Sequence, residues 1–145
     1  MFIDQLITEI NLWNRQENIG LVTDSSAGFT LPNGAVRAPN VGWISKTRWG
    51  NAMQDPQNTK RFPHVTPEFV IEVRSSSDSL NSQHEKMVEW LENEVLMDWL
   101  FDLQNRKTYV YFDNQVVETN FAETLNPKSV LPGFTLNLEE SGFSD

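Results

Sequence analysis

The stretch FVIEVRSSSDSLNSQHEK, residues 69–86, decides the fold that the sequence predicts. Residues 69–73 form an apolar run that is interrupted only by Glu72, as expected of a central strand covered on both faces. A serine-rich turn follows, and Ser79 or the aspartate before it suits the N-cap of a polar helix that carries Lys86. The pattern therefore predicts a carboxylate at the end of a strand that faces a lysine on the next helix.

The predicted helix has two distinct faces, because its apolar residues recur at spacings of three and four. The buried stripe is predicted to comprise Leu80, His84, Met87, Val88 and Leu91. The adjacent face comprises Ser79, Gln83, Lys86 and Trp90. Lys86 is therefore predicted to lie beside the buried stripe and not within it.

Asn40 stands directly before a second apolar run, in the segment Ala38-Pro39-Asn40-Val41. This run closes a series of short strands and turns over residues 21–44, which indicates a β-meander with a tight Asn-Gly turn at residues 33–34. Asn40 and Glu72 are thus predicted to lie at the ends of two strands. Asn is also an ordinary turn residue after proline, and that simpler interpretation stays open.

The remaining pattern predicts an α/β (α+β) domain, a mixed β-sheet flanked by helices. Apolar spacings of three and four predict an amphipathic helix from the N-terminus to about Arg15, and residues 45–66 suggest a short helix and a long loop. Further strands are predicted at residues 99–101, 108–112, 116–119 and 134–138, the last two as edge strands. The order of elements is helix, several strands, helix and more strands.

Length and composition narrow the class of protein. The 145 residues have the size of one domain, so we expect a single domain over residues 1–145. A hydrophobic fraction of 39% argues against a disordered chain, and the absence of cysteine excludes disulfides and thiolate zinc sites. No run is long enough to cross a membrane and no signal segment opens the chain, so we expect a cytoplasmic protein.

A net charge of −9 disfavours tight nonspecific binding to DNA, because a polyanion is repelled at long range. A metal ion at an acidic site would offset part of this repulsion.

Glu72, Asn40 and Lys86 are the candidate site residues, because metal-assisted hydrolysis of a phosphodiester needs hard oxygen ligands and a cation near the phosphate. For Glu72 the alternative is a salt bridge with Arg74 or Lys86, and for Lys86 it is an ordinary solvated lysine. A ligand role is not favoured for either histidine, because neither has a partner at a metal-binding spacing. The five tryptophans are expected in the core and at interfaces and not in a platform that stacks on bases, because they stand at apolar periodic positions.

The chain resembles the putative restriction endonuclease family of the PD-(D/E)XK nuclease superfamily. The resemblance runs through LWNR (12–15), GFTLPNG (28–34), RAPNVGWI (37–44), PEFVIEVRS (67–75), SDSL (77–80) with Lys86-Met87, Trp99-Leu100 with Asp102, and VLPGF (130–134). It implies a restriction-endonuclease-like fold, cleavage of DNA that depends on Mg²⁺ or Mn²⁺, and a homodimer.

The resemblance also implies roles for individual residues. Glu72 matches the second acid of the family, and Lys86 matches a helix lysine that replaces the lysine on the strand. Arg74 stands where the superfamily has that strand lysine. If the protein is an endonuclease, Arg74 or Gln83 is expected to contact phosphate. Asn40 falls on the family's aspartate, so one anionic metal ligand is missing. The fold is also expected to be shortened at its N-terminus, since members usually begin earlier with a segment that bears a further acid.

Two hypotheses follow. In the first, the protein is an endonuclease in which Glu72 and Asn40 bind the metal and Lys86 assists the nucleophile. In the second, it is a catalytically degenerate relative that retains the fold and a role in dimerisation or binding.

Overall fold

A six-stranded mixed sheet organises the protein. The computed structural model describes residues 2–58 and 61–143. The helices are α1 (Phe2–Glu17), α2 (Lys46–Met53) and α3 (Leu80–Glu92), with a short 3-10 helix at Pro56–Asn58. The strands are β1 (Gly20–Asp24), β2 (Phe29–Thr30), β3 (Val36–Arg37), β4 (Val41–Ser45), β5 (Phe69–Val73), β6 (Met97–Asp102), β7 (Lys107–Phe112) and β8 (Gln115–Asn120).

The strand order in the large sheet is β1-β4-β5-β6-β7-β8. Only the central pair, β5 and β6, is parallel within the described sheet, and every other neighbouring pair is antiparallel. A parallel pair requires a crossover connection, and α3 provides it by linking the end of β5 to the start of β6. Strands β2 and β3 pair with each other in a separate hairpin.

The sheet is covered on both faces, which explains the continuous apolar runs of β5 and β6. On one face, α1 and the C-terminal segment enclose a core that includes Phe69, Ile71, Trp99 and Phe101. On the other face, α3 packs on the residues that alternate with these, including Val70 and Leu100. Burying each large apolar side chain stabilises the fold by about 1.5–3 kcal/mol. The mixed sheet flanked by helices confirms the fold class that the sequence predicts.

The buried stripe of α3 differs from the prediction. Trp90 is 1% exposed and packs beneath the helix together with Met87, whereas Val88 is 45% exposed. Gln83 is also buried. The helix is therefore rotated so that positions 83, 87 and 90 face the sheet, because this rotation buries the large indole ring and brings its N–H to a carboxylate of β5.

The predicted edge strand over residues 134–138 is wrong. Among the described residues, this segment makes only an isolated bridge, between Leu125 and Leu136. Its apolar residues instead pack into the core beneath α1, where Phe134 and Leu138 are buried. Residues 134–138 are therefore held in place by the burial of their side chains and not by backbone hydrogen bonds to any neighbouring strand that the structure describes. The other predicted edge strand is confirmed as β8.

No helix among the described residues is both long enough and apolar enough to cross a membrane.

Candidate active site

Glu72 lies near the end of β5, and its side chain is directed beneath α3. The residue is only 2% exposed, and three donors hold its carboxylate. The backbone N–H of Asn40 donates to Oε1 at 2.9 Å. Oε2 accepts from Lys86 Nζ at 2.9 Å and from the indole N–H of Trp90 at 3.3 Å. A buried carboxylate needs such partners, because an unpaired buried charge costs several kcal/mol.

Asn40 immediately precedes β4 and is joined to β5 by two hydrogen bonds. Its backbone N–H binds Glu72, and its side-chain Oδ1 accepts from the N–H of Val73 at 2.8 Å. These bonds extend the antiparallel pairing of β4 and β5 beyond the last register pair, Val41 with Ile71. The amide oxygen therefore lies at the strand end where a metal ligand is predicted, but it is already bound to the backbone.

Lys86 reaches this site from the second turn of α3. Ser79 caps the helix by accepting a hydrogen bond from the N–H of Ser82 at 3.1 Å, as the sequence predicts. The Lys86 side chain is 38% exposed. Its methylene groups thus run from the helix surface, and its ammonium group closes over the buried carboxylate of Glu72.

Arg74 and Gln83, the predicted phosphate contacts, are held by other acidic residues. Arg74 NH1 donates to Asp102 Oδ2 at 2.9 Å, and its Nε donates to the backbone oxygen of Asp78 at 3.2 Å. The side-chain amide of Gln83 donates to Asp78 Oδ2 at 2.8 Å. Both residues thus stabilise the connection between β5 and α3. No hydrogen bond or ion pair among the described groups joins either of them to Glu72.

Asp102, the partner of Arg74, is fully buried. Burial favours its neutral form, but hydrogen bonds from Asn105 and Arg74 outweigh this effect, so the pKa of Asp102 lies below its ordinary value. Arg74 therefore neutralises a carboxylate of the adjacent strand.

Asp98 is a further buried acid near Glu72, one that the sequence patterns above do not indicate as a site residue. It lies in β6 beside Val70 of β5 and is 0% exposed. Burial, reinforced by the negative charge of Glu72, raises the pKa of Asp98 to about 9. One signal was available, because Asp98 and Leu100 share a face of an otherwise apolar strand. The acid could therefore have been placed beneath α3.

His84 and Tyr111 form a contact beneath α3, in which the histidine Nδ1 and the tyrosine hydroxyl are hydrogen-bonded. Burial lowers the pKa of His84, and burial together with the nearby Asp98 raises the pKa of Tyr111. The contact fastens the first half of α3 to β7. His64 lies in an exposed loop, as predicted.

The donor atoms at the site can be tested against the needs of a divalent cation. Among residues 2–58 and 61–143, no cluster of three or more histidine or acidic side chains is spaced to hold a metal ion. Asn40 and Glu72 offer a carboxylate and an amide oxygen on adjacent strand ends. Mg²⁺ is commonly held by one or two carboxylates plus waters, so these donors fit a cation site with a single anionic ligand.

Comparisons with known proteins place the chain in a family. The model of the family described as "Uma2: Putative restriction endonuclease" matches residues 2–139. A solved structure of a putative nuclease belonging to DUF820, from Anabaena variabilis ATCC 29413, superimposes with a TM-score of 0.80. The match covers 96% of this chain and 76% of that chain at 14% sequence identity, so it shows a shared fold. No curated protein matches. The chain belongs to the Uma2 family, the family of putative restriction endonucleases.

Proposed function

We propose that this protein is a metal-dependent endonuclease that hydrolyses phosphodiester bonds in DNA. The proposal depends above all on one observation, the convergence of Asn40 and Lys86 on the buried carboxylate of Glu72. These groups come from three separate segments of the chain: the residue before β4, the end of β5 and the helix α3. Asn40 and Lys86 each contact the Glu72 carboxylate at 2.9 Å. Family membership supports a nuclease activity.

Each residue has a definite task in this proposal. Glu72 and the amide oxygen of Asn40 would hold Mg²⁺ or Mn²⁺, which when bound polarises the phosphoryl group and supplies hydroxide near neutral pH. Lys86 holds a positive charge at the mouth of the site, where it can stabilise the charge that develops on phosphate. Trp90 fixes the orientation of the Glu72 carboxylate through its N–H.

Phosphate contacts from Arg74 or Gln83 stay a prediction. Either side chain would have to exchange its present partner, Asp102 or Asp78, for a phosphate oxygen. The bond between Arg74 and Asp102 is the harder to exchange, because breaking it would leave the buried carboxylate of Asp102 without its cationic partner.

Nicking of supercoiled plasmid DNA tests the proposal. We expect cleavage by the wild-type protein in Mg²⁺ or Mn²⁺, and its loss both in EDTA and in the variant Glu72→Gln. The matched control is Glu89→Gln, which removes another glutamate that is paired with a basic residue, Arg37 at 2.8 Å. Cleavage by Glu72→Gln at the wild-type rate would remove the proposed mechanism.

A second candidate is a degenerate relative that has lost catalysis. The observation in its favour is that the site is already satisfied, since Glu72 has three donors and the Asn40 amide oxygen is bound to Val73. The variant Asn40→Asp distinguishes the two candidates. Cleavage by this variant, with an inactive parent, would support the degenerate relative, whereas cleavage by the parent would exclude it.

We also propose that the protein is a homodimer, as the family resemblance implies. The edge strand β8 supports this, because Val116 and Val117 are exposed on a strand that has only β7 as a described neighbour. Light scattering after size-exclusion chromatography would give twice the chain mass of 16.7 kDa for a dimer. A mass of a single chain at all concentrations would contradict it.

A further inference from the structure

Asp98 is a buried acid that has no hydrogen-bond partner in the part of the chain that the structure describes. It is 0% exposed, and no described group forms a hydrogen bond with either of its carboxyl oxygens. The other two buried carboxylates near α3 differ in this respect, since Glu72 is paired with Lys86 and Asp102 with Arg74. Because buried polar groups almost always have partners, an unpartnered carboxyl group suggests a ligand.

Asp98 shares a face of the sheet with Glu72. In the parallel pairing of β5 and β6, Val70 lies beside Asp98 and Glu72 lies beside Leu100. Val70 and Leu100 both pack under α3, so by alternation the two acids also point to that side. They are offset by one strand and two residues, which places their Cα atoms about 8 Å apart. Two acidic side chains at that separation can reach one cation between them.

The two carboxyl groups also interact electrostatically. The negative charge of Glu72 adds to burial in raising the pKa of Asp98. A divalent cation would convert this repulsion into attraction, because it supplies the largest local charge in such a site.

We propose that Asp98 is the second carboxylate ligand of the cation site. Glu72 and Asn40 supply only one acidic ligand between them, because the Asn40 side chain is an uncharged amide, and Asp98 supplies the second. This inference rests on the proposed function. A set of carboxylate and amide oxygens without sulfur or imidazole selects a hard divalent cation such as Mg²⁺ or Mn²⁺. Ligation forms a metal–oxygen bond at Asp98 and releases the carboxyl proton to solvent.

Binding of Tb³⁺, detected by luminescence on excitation of tryptophan, tests this assignment directly. The indole N–H of Trp90 lies 3.3 Å from Glu72 Oε2, so an ion held by Glu72 would be adjacent to a sensitising ring. Mg²⁺ should compete for the same site. We expect Asp98→Asn to weaken Tb³⁺ binding by about tenfold or more, as removal of a metal-site group does elsewhere.

Two further variants control for folding. Asp98→Leu removes the carboxyl group but leaves no unpartnered polar atom, and it should weaken Tb³⁺ binding to the same extent. Thr108→Val removes another buried side-chain oxygen without a described hydrogen-bond partner, from β7, and should bind Tb³⁺ as the wild type does. Circular dichroism checks that each variant is folded.

The outcomes separate the two proposals. If Glu72→Gln loses Tb³⁺ binding and both Asp98 variants retain wild-type affinity, the assignment of Asp98 is overturned and the proposed function stands. If the wild type shows no sensitised luminescence, or Glu72→Gln binds as the wild type does, both proposals are overturned. Weakened binding in the Asp98 variants and in Glu72→Gln, but not in Thr108→Val, supports both.

Discussion

Replacing Asp98 by asparagine should make the stability of the metal-free protein less sensitive to pH. Asp98 is fully buried in β6, and its pKa in the folded state is about 9, against an ordinary value of 3.8. The folded protein therefore keeps a proton that the unfolded chain releases at any pH between these two values. Unfolding releases that proton, so raising the pH favours the unfolded state. The amide of Asp98→Asn does not ionise and lacks this effect.

The size of the effect follows from the proton that is released. One proton changes the free energy of unfolding by about 1.4 kcal/mol per pH unit. Between about pH 5 and about pH 8, the wild type should lose about 4 kcal/mol of stability relative to Asp98→Asn. Below about pH 3, well under the ordinary pKa, the carboxyl group is protonated in both states, and the difference between the two proteins should become constant.

Urea unfolding followed by tryptophan fluorescence measures this difference, with EDTA present to remove metal ions. The quantity of interest is the free energy of unfolding of Asp98→Asn minus that of the wild type, plotted against pH. Thr108→Val is the control, because it changes a buried side chain without adding or removing a titrating group, and its difference should be flat. A flat difference for Asp98→Asn as well would refute the buried, protonated state of Asp98.

Three further perturbations probe the contacts around the site, each by urea unfolding. Lys86→Met leaves the buried carboxylate of Glu72 without its ammonium partner and should cost about 2 kcal/mol of stability. This is less than for a fully buried ion pair, because the lysine side chain is 38% exposed. Unchanged stability would show that the ion pair contributes nothing. Arg74→Met should cost about 3 kcal/mol of stability at neutral pH and less in acid. The pKa of Asp102 is lowered in the folded state, so the stability that its ionised form contributes is present above the ordinary pKa and is lost as the pH falls through the lowered pKa. A cost that is independent of pH would contradict this. Gly42→Ala places a Cβ 2.7 Å from the hydroxyl oxygen of Thr23 in β1 and should cost about 1–3 kcal/mol of stability. Wild-type stability would mean that β1 can shift to make room for the methyl group.

Much of the site could be predicted because it depends on local patterns. The apolar run around Glu72 identifies β5, and the Ser79 cap places the start of α3. Together these elements bring Lys86 within reach of the carboxylate, which the structure shows at 2.9 Å. The position of Asn40 before β4 is likewise a local matter of a proline and an apolar run.

Other features could not be predicted because they depend on tertiary contacts. The burial of Trp90 against the sheet decides the rotation of α3. The helical spacing of apolar residues is equally consistent with a buried face that contains Val88, so the sequence alone does not distinguish the two rotations. In the sequence, Asp98 is an isolated acid in an apolar strand, and its relation to Glu72 becomes visible only once β5 is known to be the parallel neighbour of β6. The segment that contains Phe134 has the alternation of a strand, but among the described residues its backbone pairing is limited to one isolated bridge, between Leu125 and Leu136.

Nicking of supercoiled plasmid DNA in Mn²⁺, compared between the wild type and Glu72→Gln, tests most directly whether the carboxylate of Glu72 is the centre of a cation site. We expect nicking by the wild type, a lower rate as the Mn²⁺ is chelated, and no nicking by Glu72→Gln. Equal nicking by the two proteins would contradict the role of Glu72 as a metal ligand.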